Sequence, residues 1–447
     1  MEKINNKLKG KTWLVIVIIS LFGQVAWTIE NNFFNLYIRD VFNANLSQIA
    51  LMVSMSAIAA TITSLLIGAL SDKLGKRKII ITLGYILWGV TILCFALLQR
   101  FASNLEAILG VSAATIGVSL VIIFDCIMTF FGSSANDAAF NAWLTDITDE
   151  TNRGKVEGVN AAMPLLSMLL VFGGAMFLMN QDGSYKYNLI FIIIGIAVII
   201  VGILSIFLVE ESNIEPNTSE PYIKNIFYGF RPSVIKGNKI LYLVFLSFCI
   251  FSIAIQVFMP YYVIYLTTIL GGNYVLIMAP AIVVAAVFTV LYGRFIDRLG
   301  FVKSIILPFT MFIVGLIILT LFTHTALVFI GSLLMIAGFL AVNSVYGVMI
   351  RDYTPKQKVG LFQGIRIVVG VLIPMLVGPW IGSLVSSSSA IDAGFGVVGD
   401  DYTPSSLIFI AGAVVSLLSI ITIYFIARSV KKEKENSVEE KSNEEEK

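Results

Sequence analysis

Long apolar runs separated by short polar segments make up most of this chain. Each run has about 20 residues or more, the length that an α-helix needs to cross the hydrocarbon core of a bilayer. Strand-like alternation of polar and apolar positions does not interrupt them. The pattern predicts an all-α polytopic membrane protein with twelve transmembrane spans, at residues 12–37, 46–70, 78–99, 118–143, 155–179, 187–209, 239–266, 274–295, 303–322, 326–349, 360–385 and 406–427.

Composition supports the same class of protein. Hydrophobic residues make up 57% of the 447 residues and charged residues only 13%, too few charges for a soluble chain of this length. The first run continues to Ile38 without a small-residue cleavage site, so we do not expect a cleavable signal. The three cysteines fall within spans and show no metal or disulfide spacing. The single histidine, His324, excludes a histidine-based metal site.

The distribution of cations predicts the orientation of the chain. Four lysines precede the first span, whereas the outer loops together carry only Arg39, Arg100 and Lys186. Cytoplasmic loops of membrane proteins hold an excess of Lys and Arg. We therefore expect a multi-pass protein of the plasma membrane with both termini in the cytoplasm.

A polar corner between two apolar runs occurs twice. The first copy, GALSDKLGKRK, covers residues 68–78, and the second, GRFIDRLGFVK, covers residues 293–303, at an offset of 225 residues. A second pair of matching segments, around Asp146 and Asp352, has an offset of 206 residues. The difference corresponds to an extra outer segment at 101–114, which we expect to form a short surface helix. The chain is therefore predicted to contain two related halves.

These repeats set the expected domains. We assign residues 1–209 to an N-terminal six-helix half and 239–427 to a C-terminal six-helix half. Residues 210–238 form a cytoplasmic linker, in which 223–230 could lie on the membrane as an amphipathic helix. Residues 428–447 form a charged cytoplasmic tail with six cations and seven glutamates, which we expect to be disordered.

The duplicated corner resembles the signature loop of the major facilitator superfamily, which joins helices 2 and 3 and recurs between helices 8 and 9. The resemblance covers about residues 10–430. It implies two pseudo-symmetric six-helix halves that alternate access to a site near the membrane midplane. It also implies a cytoplasmic gate formed by Gly68, Asp72, Gly75, Arg77, Asp146, Arg153, Gly293, Asp297, Arg298 and Asp352.

Span 1 contains an acid among amides and aromatic residues. Glu30 lies beside Gln24, Trp27 and Asn31, which recur at helical spacing. A carboxylate at membrane depth costs about 2.5 kcal/mol or more, so it usually faces a cavity. Glu30 could instead lie near the outer surface and be solvated. We favour a cavity-lining acid that binds substrate or a proton.

Two further ionisable groups are candidates at membrane depth. Asp137 lies nine residues before Asp146, about 13 Å along the helix, and is either a functional acid or a partner for a cation at the inner gate. Asp125 lies farther out, where we expect it near the outer surface. Arg366 lies about 9 Å into span 11, so snorkelling or gate pairing competes with substrate contact.

The resemblance implies that spans 1, 4, 7 and 10 line the substrate cavity between the halves. Their polar and aromatic members can hydrogen-bond a hydroxylated ligand or stack on its ring. The same groups could bond one another and only join helices. The candidate substrate and proton residues are Gln24, Trp27, Glu30, Asn31, Asp137, Gln256, Tyr261, Asn343 and Arg366.

A narrower resemblance rests on two short patterns. Asn136-Asp137-x-x-Phe140 and Tyr37-x-x-Asp40 are similar to motifs of the glycoside–pentoside–hexuronide cation symporters, the branch that includes the melibiose carrier. That branch carries sugars with Na⁺ or H⁺, and the melibiose carrier uses a span-4 carboxylate placed like Asp137. Span 2 here lacks the paired aspartates of that carrier. H⁺ coupling through Glu30 or Asp137 is therefore preferred to Na⁺ coupling.

Other function classes receive less support. The sequence contains no phosphate-binding glycine loop, nucleophile elbow or HExxH motif, so we do not expect an enzyme or direct ATP drive. A channel fits duplicated halves less well than alternating access does. The main alternative is a drug or lipophile exporter of the same fold. We expect a monomer that binds a small solute within the lipid bilayer, with no nucleic-acid partner, no metal site and no cofactor except the coupling ion.

Overall fold

The computed structural model describes residues 8–148, 152–180, 184–211, 228–271, 274–355, 362–388 and 394–445. These residues form twelve long helices, and the described part contains no β-strand beyond a single bridge between Met179 and Tyr185. The architecture is all-α, as predicted. The helices are α1 (Gly10–Phe42), α2 (Leu46–Leu74), α3 (Lys78–Leu109), α4 (Ala113–Ile147), α5 (Arg153–Met176), α6 (Tyr187–Leu208), α7 (Lys239–Leu270), α8 (Tyr274–Leu299), α9 (Phe301–Leu321), α10 (Thr325–Tyr353), α11 (Gly364–Ser388) and α12 (Leu407–Glu445).

Eleven of these helices are long and apolar enough to cross a membrane. In α5, the described residues include the shorter apolar stretch Ala162–Met176. All the predicted spans overlap a helix of the structure. A short helix at Pro232–Gly237 lies before α7, and most of the expected amphipathic segment at 223–230 lies outside the described residues.

Two local expectations are wrong. Residues 101–114 do not form a separate surface helix, since α3 continues unbroken to Leu109 before Gly110 ends it with a φ of 67°. The charged tail is not irregular, since α12 continues to Glu445. Lys and Glu are good helix formers, and pairs four residues apart, such as Lys431 and Glu435, whose charged atoms are 3.7 Å apart, support the helix.

The chain divides into two compact units. Unit 1 comprises Met1–Tyr222, Pro260–Pro280 and Gly399–Pro404, and unit 2 comprises Ile223–Met259, Ala281–Val398 and Ser405–Lys447. In unit 1, α3 packs on α4 and α6, and α1 packs on α5. In unit 2, α9 packs on α10 and α12. The pairing of α3 with its neighbours therefore corresponds to that of α9, six helices later.

Close helix crossings depend on glycine in both units. A Cβ atom added at Gly89 of α3 would lie 2.6 Å from the carbonyl oxygen of Gly195 in α6. A Cβ atom added at Gly331 of α10 would lie 3.2 Å from the carbonyl oxygen of Gly315 in α9. Small residues allow such approach between helices in lipid.

Glycine also forms both polar corners of the repeat. Gly75 ends α2 with a φ of 61°, and Gly300 precedes α9 with a φ of 71°. This left-handed region carries little cost for glycine and a penalty for other residues. Glycine is therefore favoured in both corners for the same reason, because its backbone tolerates a positive φ.

Candidate functional site

Glu30 lies in a buried polar cluster inside unit 1. It is 7% exposed, and its Oε1 accepts hydrogen bonds from the hydroxyls of Ser56 in α2 (2.6 Å) and Thr129 in α4 (3.0 Å). The two hydroxyl oxygens are themselves 2.8 Å apart. The other carboxyl oxygen, Oε2, is buried without a hydrogen-bond partner. Burial rules out the expected alternative in which solvent at the outer surface hydrates Glu30.

Asp125, which we expected near the outer surface, is buried beside the same cluster. It is 1% exposed and lies one helical turn before Thr129, the residue that bonds Glu30. Its Oδ1 is buried without a hydrogen-bond partner. Helical rise predicted its position along α4 but not that neighbouring helices cover this turn.

Asp137 is held on the inner side of the cluster by neutral donors. Ser133 donates to its Oδ2 at 3.0 Å, and Asn136 donates to its Oδ1 at 3.2 Å. Asn136 in turn accepts from the hydroxyl of Tyr85 at 3.1 Å. Within the described residues, none of the ion pairs involves Glu30, Asp125 or Asp137.

Both candidate acids lie in short π-helical segments. Glu30 is in Ile29–Phe34 of α1, and Asp137 is in Ser133–Phe140 of α4. A π-segment adds a residue to the turn and changes the direction of the side chains that follow, and such segments are frequent at functional sites. The predicted acids therefore occupy backbone of the kind that functional sites often use.

An aromatic pair borders the cluster. The rings of Trp27 and Trp88 have centroids 4.9 Å apart, and Trp88 is fully buried with an unpartnered Nε1. Gly132 of α4 makes room for them, because a Cβ atom added there would lie 2.7 Å from the Trp88 ring. Trp27 is half-buried, so part of its ring remains open.

The amides of α1 are partly used by their own helix. The side-chain nitrogens of Asn31, Asn32 and Asn35 each donate to the carbonyl oxygen four residues earlier, at 2.8, 3.0 and 2.9 Å. Asn31 is exposed and Gln24 is half-buried. Each amide therefore keeps an oxygen and one hydrogen for other partners.

The remaining predicted site residues lie elsewhere. Tyr261, in unit 1, is fully buried and donates to the carbonyl oxygen of Leu46 at 3.2 Å, at the start of α2. Gln256, in unit 2, packs against Gly378 of α11. Asn343 is half-buried in α10, and Arg366 is exposed at the start of α11.

The first polar corner contains a tight ion pair. Arg77 Nε lies 3.0 Å from Asp146 Oδ2, and its Nη1 donates to Ser71 Oγ at 2.6 Å. Glu211 accepts from the backbone nitrogens of Arg77 (2.6 Å) and Lys78 (3.1 Å), where a carboxylate suits the start of α3. This corner ties the start of α3 to the end of α4 and to the segment after α6.

Three further predicted gate residues lie in α2, α8 and α10. Gly68 and Gly293 are half-buried in α2 and α8, and Asp352 is exposed at the end of α10. The remaining gate side chains lie outside the described part of the structure: Asp72, Arg153, Asp297 and Arg298.

Sequence reasoning missed several polar residues around the acids. In α4 the polar side chains Asp125, Thr129, Ser133 and Asp137 recur every four residues and form one stripe. That spacing is a signal that could have found Thr129 and Ser133. Ser56 carried no such signal, because Ser and Thr in span 2 are equally typical of close helix packing.

Comparison with known proteins gives one family and several similar folds. The family described as Major Facilitator Superfamily matches residues 16–301 and 244–446. No curated protein sequence matches the chain.

Three solved structures illustrate the similarity of fold. A bacterial homolog of the human lysosomal transporter Spinster, inward-facing and unoccupied, has a TM-score of 0.71 at 15% identity, covering 95% of this chain and 98% of its own. The nucleoside transporter NupG has a TM-score of 0.65 at 12% identity, with coverage of 94% and 98%. The xylose transporter XylE from E. coli has a TM-score of 0.65 at 13% identity, with coverage of 93% and 97%. The predicted fold class is confirmed.

Proposed function

This chain belongs to the Major Facilitator Superfamily, and we propose that it is a secondary active transporter that moves a small polar solute, a sugar or glycoside, across the plasma membrane with H⁺. The buried cluster around Glu30 carries this proposal. An ionised carboxylate inside a membrane protein is costly unless a positive charge or a proton neutralises it. Neutral hydroxyl and amide donors around Glu30 and Asp137 lower that cost without supplying a fixed positive charge.

This arrangement suits a group that gains and loses a proton. A cation bonded to the acid would keep it ionised throughout the cycle, whereas neutral donors leave both states accessible. Glu30 and Asp137 are accordingly our proposed coupling residues.

The side chains beside the cluster support a hydroxylated solute. Trp27 offers an apolar ring surface, and Asn31 offers an exposed amide, a combination suited to sugar recognition. Two proteins of similar fold transport xylose and nucleosides. Both kinds of solute contain hydroxyl groups. The motifs similar to the cation symporters of glycosides point to the same class of solute, with a melibiose carrier-like branch as the proposed relationship.

A drug or lipophile exporter is the second candidate. Three asparagine side chains of α1 already donate to backbone oxygens, which leaves fewer donors for a hydroxylated solute. The Trp27–Trp88 pair provides an aromatic surface. An aromatic surface beside an acid suits an apolar cation as well as a sugar. The two candidates predict different solutes: a sugar that accumulates with a proton gradient, or a lipophilic cation that is exported.

Uptake into membrane vesicles tests the proposal. Labelled sugars and lipophilic cations are presented with and without a proton gradient, and we expect gradient-dependent accumulation of a sugar. Glu30→Gln or Asp137→Asn should abolish that accumulation while sparing exchange of the solute down its own gradient. Ser119→Ala, at an exposed position on α4, is the matched control. Unaltered accumulation in both acid variants would remove these residues from coupling, and efflux of lipophilic cations alone would favour the exporter.

A further inference from the structure

We propose that Asp125 is a second proton-binding residue that pairs with Glu30, so that the two carboxyls hold one proton between them. The inference deepens the proposed H⁺ coupling and rests on it. It starts from burial, since Glu30 is 7% exposed and Asp125 is 1% exposed. Each has one carboxyl oxygen that is buried and has no hydrogen-bond partner, Glu30 Oε2 and Asp125 Oδ1.

Geometry places the two groups at one point of unit 1. Thr129 bonds Glu30 at 3.0 Å, and Asp125 lies on the same face of α4 one turn away, about 6 Å by helical rise. Two carboxylates buried around the same threonine in a membrane interior cannot both remain ionised without a counter-ion at an acceptable cost.

Asp137 differs from Asp125 in how it is satisfied. Ser133 and Asn136 donate to both of its oxygens, so its ionised form is supported locally. Asp125 lacks that support at Oδ1. A proton on Asp125 or Glu30 removes the repulsion within the pair, and its transfer breaks one O–H bond and forms another without any other reactant.

Other ionisable groups act on the pair and must be held constant in a test. Asp137 and Cys126 of α4 interact electrostatically with Glu30, and Tyr85 of α3 interacts with Asp137. The contact from α2 is Ser56, which does not titrate in this range. An Asp137→Asn background removes the third carboxyl that we assign to proton coupling, so the remaining changes report on Glu30 and Asp125.

Infrared difference spectroscopy of the purified protein can count the titrating carboxyls. In the Asp137→Asn background we expect two steps in the carboxyl C=O band separated by more than about one pH unit, because coupled groups release protons in successive steps. Adding either Glu30→Gln or Asp125→Asn should leave one step at a new midpoint. Adding Ser119→Ala instead should leave both steps unchanged. Melting temperatures confirm folding, and each acid variant tests the pair independently of the other.

The outcomes separate this inference from the proposed function, because the titration uses no transported solute. A Glu30 midpoint that Asp125→Asn does not move would overturn the pair and leave the transport proposal standing. Loss of both steps in excess Na⁺, but not in choline, would show that the pair binds a cation and would overturn the shared proton. Coupled steps in a protein that shows no proton-driven accumulation would support the pair and overturn the proposed function.

Discussion

At the scale of single residues, two hydroxyl groups define the environment of Glu30. Ser56 of α2 and Thr129 of α4 both donate to Oε1. A hydrogen bond to a charged group contributes about 1.5–3 kcal/mol when it forms in a protein interior. The hydroxyls thus stabilise the ionised state of Glu30 in the membrane while leaving it free to bind a proton.

Replacing Ser56 should weaken coupling. Ser56→Ala removes the shorter of the two bonds, so the ionised state of Glu30 loses about 1.5–3 kcal/mol of support. We expect initial rates of proton-driven uptake to fall about tenfold or more, since 1.4 kcal/mol corresponds to one factor of ten. Ser56→Thr keeps a hydroxyl and should retain most of the rate. Equal rates in Ser56→Ala and wild type would show that this bond plays no part in transport.

The sequence indicated some of these residues and not others, for physical reasons. Glu30 and Asp137 were predictable because an ionisable group at membrane depth is costly and rare. The burial of Asp125 was not predictable in the same way, since linear position on a helix does not reveal which turns neighbours cover. Ser56 remained hidden because a hydroxyl in a membrane helix often bonds only its own backbone.

At the scale of helices, spans and turns followed from the sequence but local distortions did not. Apolar length predicted the membrane helices, and Gly75 marked a turn. The π-segments at Ile29–Phe34 and Ser133–Phe140 have no comparable sequence signal, because tertiary packing decides them. They carry both candidate acids, so the least predictable backbone lies where the proposed chemistry is.

Helix packing makes a stability prediction at Gly23. A Cβ atom there would lie 2.5 Å from Asn136 Oδ1 and 2.6 Å from the Tyr85 hydroxyl. Neither group can yield freely, since the Tyr85 hydroxyl also donates to Ile19 O at 2.8 Å. Gly23→Ala should destabilise the protein by about 1–3 kcal/mol, as overpacked cores do. Its melting temperature in detergent should fall below that of wild type.

A glycine in α5 provides the matched control. A Cβ atom added at Gly173 meets nothing within 4 Å. Gly173→Ala should therefore leave the melting temperature unchanged or raise it, since alanine is favoured over glycine in a helix by about 1 kcal/mol. If both variants melt like wild type, α1 does not pack against α3 and α4 as closely as described.

At the scale of the whole molecule, alternating access needs an element with two stable states. The duplicated corners are our candidates, and the first one is held by the Arg77–Asp146 pair at 3.0 Å. A tight charge pair that must open and close favours discrete states over gradual movement. The proposed gate role of Asp72 follows from its place in the repeated motif.

Neutralising Asp72 should slow transport without preventing binding. We expect Asp72→Asn to lower the transport rate about tenfold or more, by analogy with loss of a charged hydrogen bond of about 1.5–3 kcal/mol. Solute affinity, measured on purified protein, should stay close to that of wild type. Lys76→Gln, an exposed change in the same corner, is the control. Transport by Asp72→Asn at the wild-type rate would contradict the gate role.

The orientation of the chain gives the last prediction. At 32 residues, α3 is about 48 Å long, well beyond a hydrocarbon core of about 30 Å, so its final turns must leave the bilayer. Cation placement predicts that those turns lie outside and that the Lys76 corner lies in the cytoplasm. In a background lacking the three cysteines, Ser103→Cys should react with an impermeant thiol reagent in sealed right-side-out vesicles. Lys76→Cys should react only after permeabilisation, and the reverse pattern would invert the topology.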